Sequence, residues 1–164
     1  MATIHPGFKR RVAGILITLD GLGVKELGVF QWNRSFEEQG HLYTLGRSVS
    51  SGICVCAEHP LGKTVTSAQA GDSWHQYGLA ADLVFKPKGI WSWDYAGLPY
   101  EEMGRCAIAL GLAWGGLWLG KKKDPPHVQL TNGLSLWEAK LWYNKGGLQA
   151  VWDEVDARGP AKTI

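Results

Sequence analysis

Two histidines and two aspartates occupy positions at which their side chains could do chemistry. His75 precedes a glycine turn, and Asp82 follows that turn inside the apolar segment 79–85. A carboxylate in an apolar strand is costly to bury unless it is paired or binds a metal. Further along the chain, Asp124 stands three residues before His127, which begins a second apolar segment. Two imidazoles and one carboxylate are a typical ligand set for a catalytic zinc ion, and Asp124 is then a candidate base for its water.

Each of these residues also has an ordinary structural interpretation. A histidine considered alone is more often a loop residue or a half-buried residue than a metal ligand. Asp124 precedes a proline, where aspartate commonly starts a turn, and Asp82 could be the buried partner of an arginine. Composition and spacing by themselves therefore leave both the zinc interpretation and the structural one open.

Hydrophobic periodicity and capping signals predict the elements that must position these residues. Helices are predicted at residues 8–22, 35–46, 99–111, 135–145 and 148–157, and strands at 29–32, 53–56, 79–85 and 127–130. Ser35 with Glu38, and Ser135 with Glu138, have the spacing of capping boxes. Residues 48–72 are predicted to form a long loop, and long loops in compact domains are usually functional. Because helices and strands do not alternate regularly, the predicted fold class is α+β.

Length and charge limit the kinds of protein that this sequence can be. A chain of 164 residues suits one domain and can bury a core without metal or disulfide staples, so a metal would be functional. A net charge of +2 is far below the basic surface that nucleic-acid binders need. Three cysteines, an odd number, argue against a secreted disulfide framework. No segment approaches the ~20 apolar residues of a membrane span, and residues 9–19 lack the cleavage site of a signal peptide.

The sequence resembles the M15 metallopeptidases of peptidoglycan, which include D-alanyl-D-alanine carboxypeptidases, dipeptidases and L-alanyl-D-glutamate endopeptidases. The family signature S-x-H-x-x-G-x-A-x-D matches Ser73, His75, Gly78, Ala80 and Asp82. Further matching blocks follow the family's order at residues 33–39, 42–43, 46–47, 65–66, 111–116 and 124–127. The resemblance covers roughly residues 8–130, followed by a helical segment at 131–164. The Trp-Gly-Gly and Asp-x-Pro-His segments are most similar to the endopeptidase branch found in phage endolysins.

The resemblance implies a site and a fold. One zinc ion (Zn²⁺) would be held by His75, Asp82 and His127, with Asp124 as the general base for the attacking water. Arg47 matches the arginine that binds the substrate or its developing negative charge, although a surface salt bridge is the structural alternative. Ser73 matches a position bordering the substrate, and it could equally be a local cap. The implied fold is a small antiparallel sheet that carries the zinc site, with helices packed around it as in hedgehog and D,D-peptidase domains.

The leading functional prediction is a monomeric zinc peptidase, one domain over residues 1–164, that cuts the L-Ala/D-Glu bond of the peptidoglycan stem peptide. As a phage-type endolysin it would be made in the host cytoplasm without a signal peptide and act at the cell wall. It would bind no nucleic acid and insert in no membrane. One alternative is a D-alanyl-D-alanine carboxypeptidase or dipeptidase on the same scaffold. Another is a non-catalytic zinc or wall-binding module, against which the intact Asp124 argues.

Several residues outside these motifs carry weaker expectations. Cys54, Cys56 and His59 could bind a second metal, but their spacing favours an ordinary loop with free thiols. Lys121 to Lys123 could attract an anionic wall polymer, although a solvated loop is favoured. Some of the nine tryptophans could stack on sugar or peptide. In the predicted helices, Trp137, Trp142 and Trp152 are expected to pack in the core, and His5 and His41 are expected at the surface.

Overall fold

A four-stranded antiparallel sheet lies at the centre of the fold. The computed structural model describes residues 4–49, 52–53 and 64–159. The strands in chain order are β1 (Leu27–Gln31), β2 (Ser48–Val49), β3 (Gly52–Ile53), β4 (Ala80–Phe85), β5 (Ala113–Trp114) and β6 (His127–Gln129). The central sheet has the order β1-β4-β6-β5, and β2 pairs with β3 in a separate two-stranded ribbon. Both central strands, β4 and β6, carry residues that the sequence predicts to bind metal.

Helices flank this sheet, and the predicted α+β class is confirmed. In the described part of the chain they are α1 (Pro6–Gly21), α2 (Phe36–Thr44), α3 (Tyr100–Ala109) and α4 (Leu136–Arg158). Non-helical backbone angles at Gly146 and Gly147 break α4, where the sequence predicts two helices. Gly147 has a φ of 66°, which glycine adopts without steric cost.

One stripe of α1 shows how the helices supply the core. Phe8, Val12, Ile15 and Leu19 follow one another at helical spacing, and each is fully buried. The helix packs on α3. Strand β4 is buried as well, and its residues Leu83 and Val84 have no exposed surface. The carboxylate of Asp82 thus lies in a strand that is otherwise held rigidly by packing.

The two predicted capping boxes differ in the structure. Ser135 and Glu138 form the complete reciprocal pair at the start of α4. At the start of α2 the Oγ of Ser35 accepts a hydrogen bond from the Glu38 backbone N–H at 2.9 Å. The carboxylate of Glu38 accepts from the side chain of Gln31 at 3.2 Å, so it ties α2 to the end of β1.

Two expectations about single residues are wrong. His5 is only 4% exposed, because its ring caps α1 by accepting from the Phe8 N–H at 3.1 Å and contacts Asp156 at 3.2 Å. Trp137 is 69% exposed and does not pack in the core. The remaining expectations of this kind are confirmed, since Trp142 and Trp152 pack against the core and His41 is exposed.

The segment predicted as a long loop contains the β2–β3 ribbon. Only residue 53 of the strand predicted at 53–56 is described, and it lies in β3. Cys54, Cys56 and His59, with the second metal site considered for them, lie outside the described residues. Among the helices that are described, none is both long enough and apolar enough to cross a membrane.

Candidate metal centre

Three side chains from different elements converge at one end of the central sheet. His75 lies in the 3₁₀ turn Trp74–Tyr77, Asp82 lies in β4, and His127 begins β6. Gly78, with a φ of 66°, ends the turn in a left-handed conformation and directs the chain into β4. The antiparallel register pairs Asp82 directly with His127. The turn and the strand pairing therefore bring both imidazoles to the same carboxylate.

The distances within this cluster are those of a compact ligand set. Nε2 of His75 lies 3.3 Å from Oδ1 of Asp82, and Nδ1 of His127 lies 3.2 Å from the same oxygen. One potential ligand atom from each residue lies within 4.8 Å of the other two. Both histidines are buried, at 3% and 7% exposure. The cluster thus has the number and kinds of side chain that a catalytic zinc site uses as protein ligands.

The outer ring nitrogens show that this cluster fits a metal cation. Nδ1 of His75 lies 2.8 Å from the carbonyl oxygen of Trp32, and Nε2 of His127 lies 3.0 Å from Oε1 of Gln129. Both oxygens are acceptors, so each outer nitrogen donates, and in the neutral ring the inner nitrogen carries a lone pair. Two lone pairs and a carboxylate oxygen then face one another, an arrangement that a shared cation stabilises. Such outer hydrogen bonds are typical of metal-ligating histidines.

Burial and charge act against each other at these groups. Burial alone would raise the pKa of Asp82, but when the rings are protonated at both nitrogens, hydrogen bonds from His127 and His75 hold that pKa well below its usual range. Burial alone would lower the pKa of His127, but the hydrogen bond and charge of Asp82 raise it above its usual value. A buried carboxylate that stays ionised beside two imidazoles attracts a positive charge, either a proton or a metal ion.

Asp124 lies beside this cluster in a cavity of about 840 Å³ that His75, Asp82 and His127 also line. Burial is the largest cause of a raised pKa at Asp124, and the charge of Asp82 adds to it, while His127, His75 and Arg34 lower it. The backbone N–H of His127 donates to the carbonyl of Asp124 at 3.1 Å, which closes the turn between them. A carboxylate with a raised pKa is a better proton acceptor.

Trp114 and two glycines hold the turn that carries Asp124. The indole Nε1 of Trp114 donates to the carbonyl of Pro125 at 2.7 Å. A Cβ atom at Gly104 of α3 would lie 2.3 Å from the Trp114 ring, and one at Gly115 would lie 2.4 Å from the carbonyl oxygen of Asp124. Both contacts are too close for a side chain, so the Trp-Gly-Gly segment packs directly beneath the predicted base.

The two remaining predicted site residues have different positions. Ser73 is half-buried and lines the cavity. Arg47 is not among the described residues that line it. Its guanidinium lies 4.2 Å from the centre of the Tyr43 ring and donates to the Tyr43 carbonyl at 2.5 Å. The structure therefore brings Ser73, but not Arg47, to the cavity.

Arg34 lines the cavity and was not assigned a role from the sequence. Its Nη1 donates to Oε1 of Gln39 at 2.7 Å, and its Nη2 donates to Oε1 of Gln31. Its backbone N–H donates to the His75 carbonyl at 3.3 Å. The buried Nε has no hydrogen-bond partner among the described residues. The available signal was its place in the matching block 33–39, directly before the helix-capping Ser35.

Positive charge also lies at the rim of the cavity. Lys121, Lys122 and Lys123 all line it and are exposed. Together with Arg34 they place four cationic side chains in the lining that also contains the carboxylates of Asp82 and Asp124. A substrate with free carboxylates would be attracted to these cations.

Three of the matches with known proteins bear on this site. Residues 66–130 match the family model described as D-alanyl-D-alanine carboxypeptidase, and this span includes Asp124 and the three-residue cluster. The chain is 31% identical over 135 residues to the peptidoglycan L-alanyl-D-glutamate endopeptidase CwlK of Bacillus subtilis (strain 168), covering 77% of this chain and 73% of that protein. The crystal structure of the Serratia marcescens L-Ala D-Glu endopeptidase ChiX is similar with a TM-score of 0.51 and 29% identity, covering 78% of this chain and 80% of that one.

Proposed function

The chain belongs to the M15 family of peptidoglycan peptidases, and from this premise we propose that it cuts the L-Ala/D-Glu bond of the stem peptide with one zinc ion. The convergence of His75, Asp82 and His127 on one point, beside Asp124 in an open cavity, carries this proposal. The choice of bond is supported by two relatives that are named for it.

The zinc ion is assigned to His75 through Nε2, to His127 through Nδ1, and to the carboxylate of Asp82. The outer hydrogen bonds to Trp32 and Gln129 keep each imidazole in the tautomer that the site needs. When bound, the ion supplies Lewis-acid activation of water and polarisation of the scissile carbonyl.

Asp124 is assigned the proton transfers. Its carboxylate accepts a proton from the attacking water and then donates that proton to the amino nitrogen of D-Glu as the peptide bond breaks. The raised pKa of Asp124 favours both transfers near neutral pH, because a group accepts and returns a proton best when its pKa approaches the working pH.

A cation is needed for the charge that develops on the scissile carbonyl or for the carboxylates of the stem peptide. The sequence predicts Arg47 for this task, whereas the geometry favours Arg34, because Arg34 lines the cavity and its Nε is unpaired in the described structure. Ser73, on the cavity wall, is assigned to substrate contact.

The alternative activity is removal of terminal D-Ala, and one observation favours it: the matching family model is described as a D-alanyl-D-alanine carboxypeptidase. Mass spectrometry of purified peptidoglycan digested with the zinc-loaded protein separates the two. We expect new L-Ala carboxyl ends and D-Glu amino ends that do not form after chelator treatment. Released D-Ala would assign the carboxypeptidase activity instead, and no new ends on several wall types would favour a non-catalytic wall-binding module.

The biological setting is proposed on the resemblance to phage endolysins. The protein would be synthesised in the host cytoplasm and would act at the cell wall as a monomer. Light scattering of the purified protein tests the monomer, and lysis of cells whose membrane has been permeabilised tests the action at the wall.

A further inference from the structure

Three aromatic side chains form a cluster beside the metal centre, here called the aromatic platform: Phe30, Trp91 and Trp93. Trp91 is half-buried and the other two are exposed. The Phe30 ring contacts Trp91 edge to face at 5.5 Å between ring centres, and contacts Trp93 at 5.1 Å. Phe30 is 46% exposed and Trp93 is 48% exposed. Large apolar side chains grouped at a surface often mark a binding site.

A β-bulge places Phe30 at the level of the metal centre. In the pairing of β1 with β4, Val29 is opposite Leu83 and Gln31 is opposite Asp82, so Phe30 is an extra residue in β1. Bulges are common beside active sites, where they redirect a side chain. Phe30 is therefore the residue directly before Gln31, which is the β1 residue that pairs with the predicted ligand Asp82.

The two tryptophans are also held in place. Ser92 donates its N–H to the Phe85 carbonyl at 2.9 Å, and the two-residue period of extended chain puts Trp91 and Trp93 on one side of this bridge. A Cβ atom at Gly28 would lie only 3.1 Å from the Trp91 indole, so the ring lies directly against β1. The ammonium group of Lys86 lies 4.9 Å from the centre of that ring.

The aromatic platform continues into the catalytic cavity. Trp93 lines the same cavity as Asp82, Asp124 and His127. A ligand that fills this cavity and extends along Trp93 would therefore reach the rest of the aromatic platform. The three rings are too few to bury the ~800 Å² per partner that a stable protein interface needs, which argues against a second copy of the chain as the occupant.

We propose that the aromatic platform binds the glycan strand of peptidoglycan, at the sugar that carries the stem peptide. This inference rests on the proposed cleavage of the L-Ala/D-Glu bond. L-Ala is attached directly to the lactyl group of N-acetylmuramic acid, and one residue spans only ~3.5 Å. The sugar must then lie on the order of 10 Å from the scissile carbonyl, close to the cavity rim. Indole and phenyl faces suit the C–H faces of a pyranose ring, while its hydroxyl groups stay in water.

Two matched substrates test the proposal. One is the N-acetylated peptide L-Ala-γ-D-Glu-L-Lys, and the other is the same peptide attached to the GlcNAc-MurNAc disaccharide. We expect Trp93→Ala to lower kcat/KM for the disaccharide-peptide about tenfold more than it lowers kcat/KM for the free peptide, where tenfold corresponds to about 1.4 kcal/mol. Trp93→Tyr, which keeps an aromatic face, should restore most of the loss. Trp137→Ala, which removes an exposed tryptophan outside the cavity lining, is the control and should change neither value.

The outcomes separate this inference from the proposed function. Equal losses on both substrates would overturn the glycan assignment, because Trp93 would then serve the peptide or the fold. Unchanged rates on both substrates would overturn it as well. If the unsubstituted protein cleaves the peptides at a bond other than L-Ala/D-Glu, or cleaves neither, the proposed function fails and the glycan inference fails with it. Phe30→Ala should show the same selective loss as Trp93→Ala, which gives a second and independent variant.

Discussion

Asp82 and His127 are direct cross-strand partners in the central sheet, and Oδ1 of Asp82 lies 3.2 Å from Nδ1 of His127. They are 45 residues apart in the chain, so the register of β4 with β6 alone brings them together. A site built on paired strands holds its ligands more precisely than one built on loops. His75 joins them from the turn before β4. The hydrogen bond from its Nδ1 to the Trp32 carbonyl orients the ring.

Removal of one imidazole should remove the metal. We expect His75→Ala to lose stoichiometric zinc after dialysis, because two remaining ligands do not hold zinc in competition with buffer. His41→Ala, which removes an exposed histidine, should keep one zinc per chain. Elemental analysis by mass spectrometry measures both. Full zinc occupancy in His75→Ala would reject His75 as a ligand.

Substitution of the predicted base should separate metal binding from turnover. We expect Asp124→Asn to retain zinc and to lower kcat by about 10²- to 10⁴-fold, the usual contribution of a general acid–base group. Steady-state cleavage of a stem peptide and zinc analysis of the same preparation give the two values. Undiminished turnover would show that another group accepts the proton.

A paired substitution decides between the two arginines. The geometry predicts that Arg34→Ala lowers kcat/KM by about 10²-fold, the order found when one donor to a developing oxyanion is removed. Arg47→Ala should lower kcat/KM less than threefold, because the Arg47 guanidinium stacks on Tyr43 and is not among the described groups that line the cavity. The assignment made from the sequence predicts the opposite order. Circular dichroism of both variants checks that the fold is intact.

Zinc affinity should depend on pH through His127. Its pKa is raised above the ordinary 6.5, chiefly because the hydrogen bond and charge of Asp82 outweigh the effect of burial. Zinc binds the unprotonated ring, so its affinity is constant above this pKa and falls about tenfold per pH unit below it. Competition with a chelator between pH 5 and pH 8 measures the profile. A break below pH 6 would contradict the raised pKa.

The glycine beneath Asp124 should not tolerate a side chain. We expect Gly115→Ala to cost about 1–3 kcal/mol in the free energy of unfolding, because its Cβ atom would lie 2.4 Å from a backbone oxygen that cannot move freely. The zinc affinity should fall too, because the turn after Asp124 leads into β6, whose first residue is the predicted ligand His127. At Gly21 an added Cβ atom meets nothing within 4 Å, so Gly21→Ala is the control and should not destabilise. Urea denaturation of the two variants provides the comparison.

Much of the architecture was predictable because its signals are local. The buried stripe of α1 follows from helical spacing, and the capping box of Ser135 and Glu138 needs only residues that are three apart. The break in α4 follows from adjacent glycines. The surface position expected for His5 is wrong for the converse reason: its capping contact is local, but its burial depends on the end of α4, about 150 residues away.

Residue type, short spacing and periodicity were enough to predict the residues that could bind a metal, the class of fold and the family resemblance, because all three are properties of neighbouring positions. Tertiary structure decided which groups share the cavity. It placed Arg34 rather than Arg47 in the lining of that cavity, and it assembled the aromatic platform from a bulge in β1 and the segment after β4. These relationships depend on strand register and on packing between distant segments, and neither is encoded in any short stretch of chain.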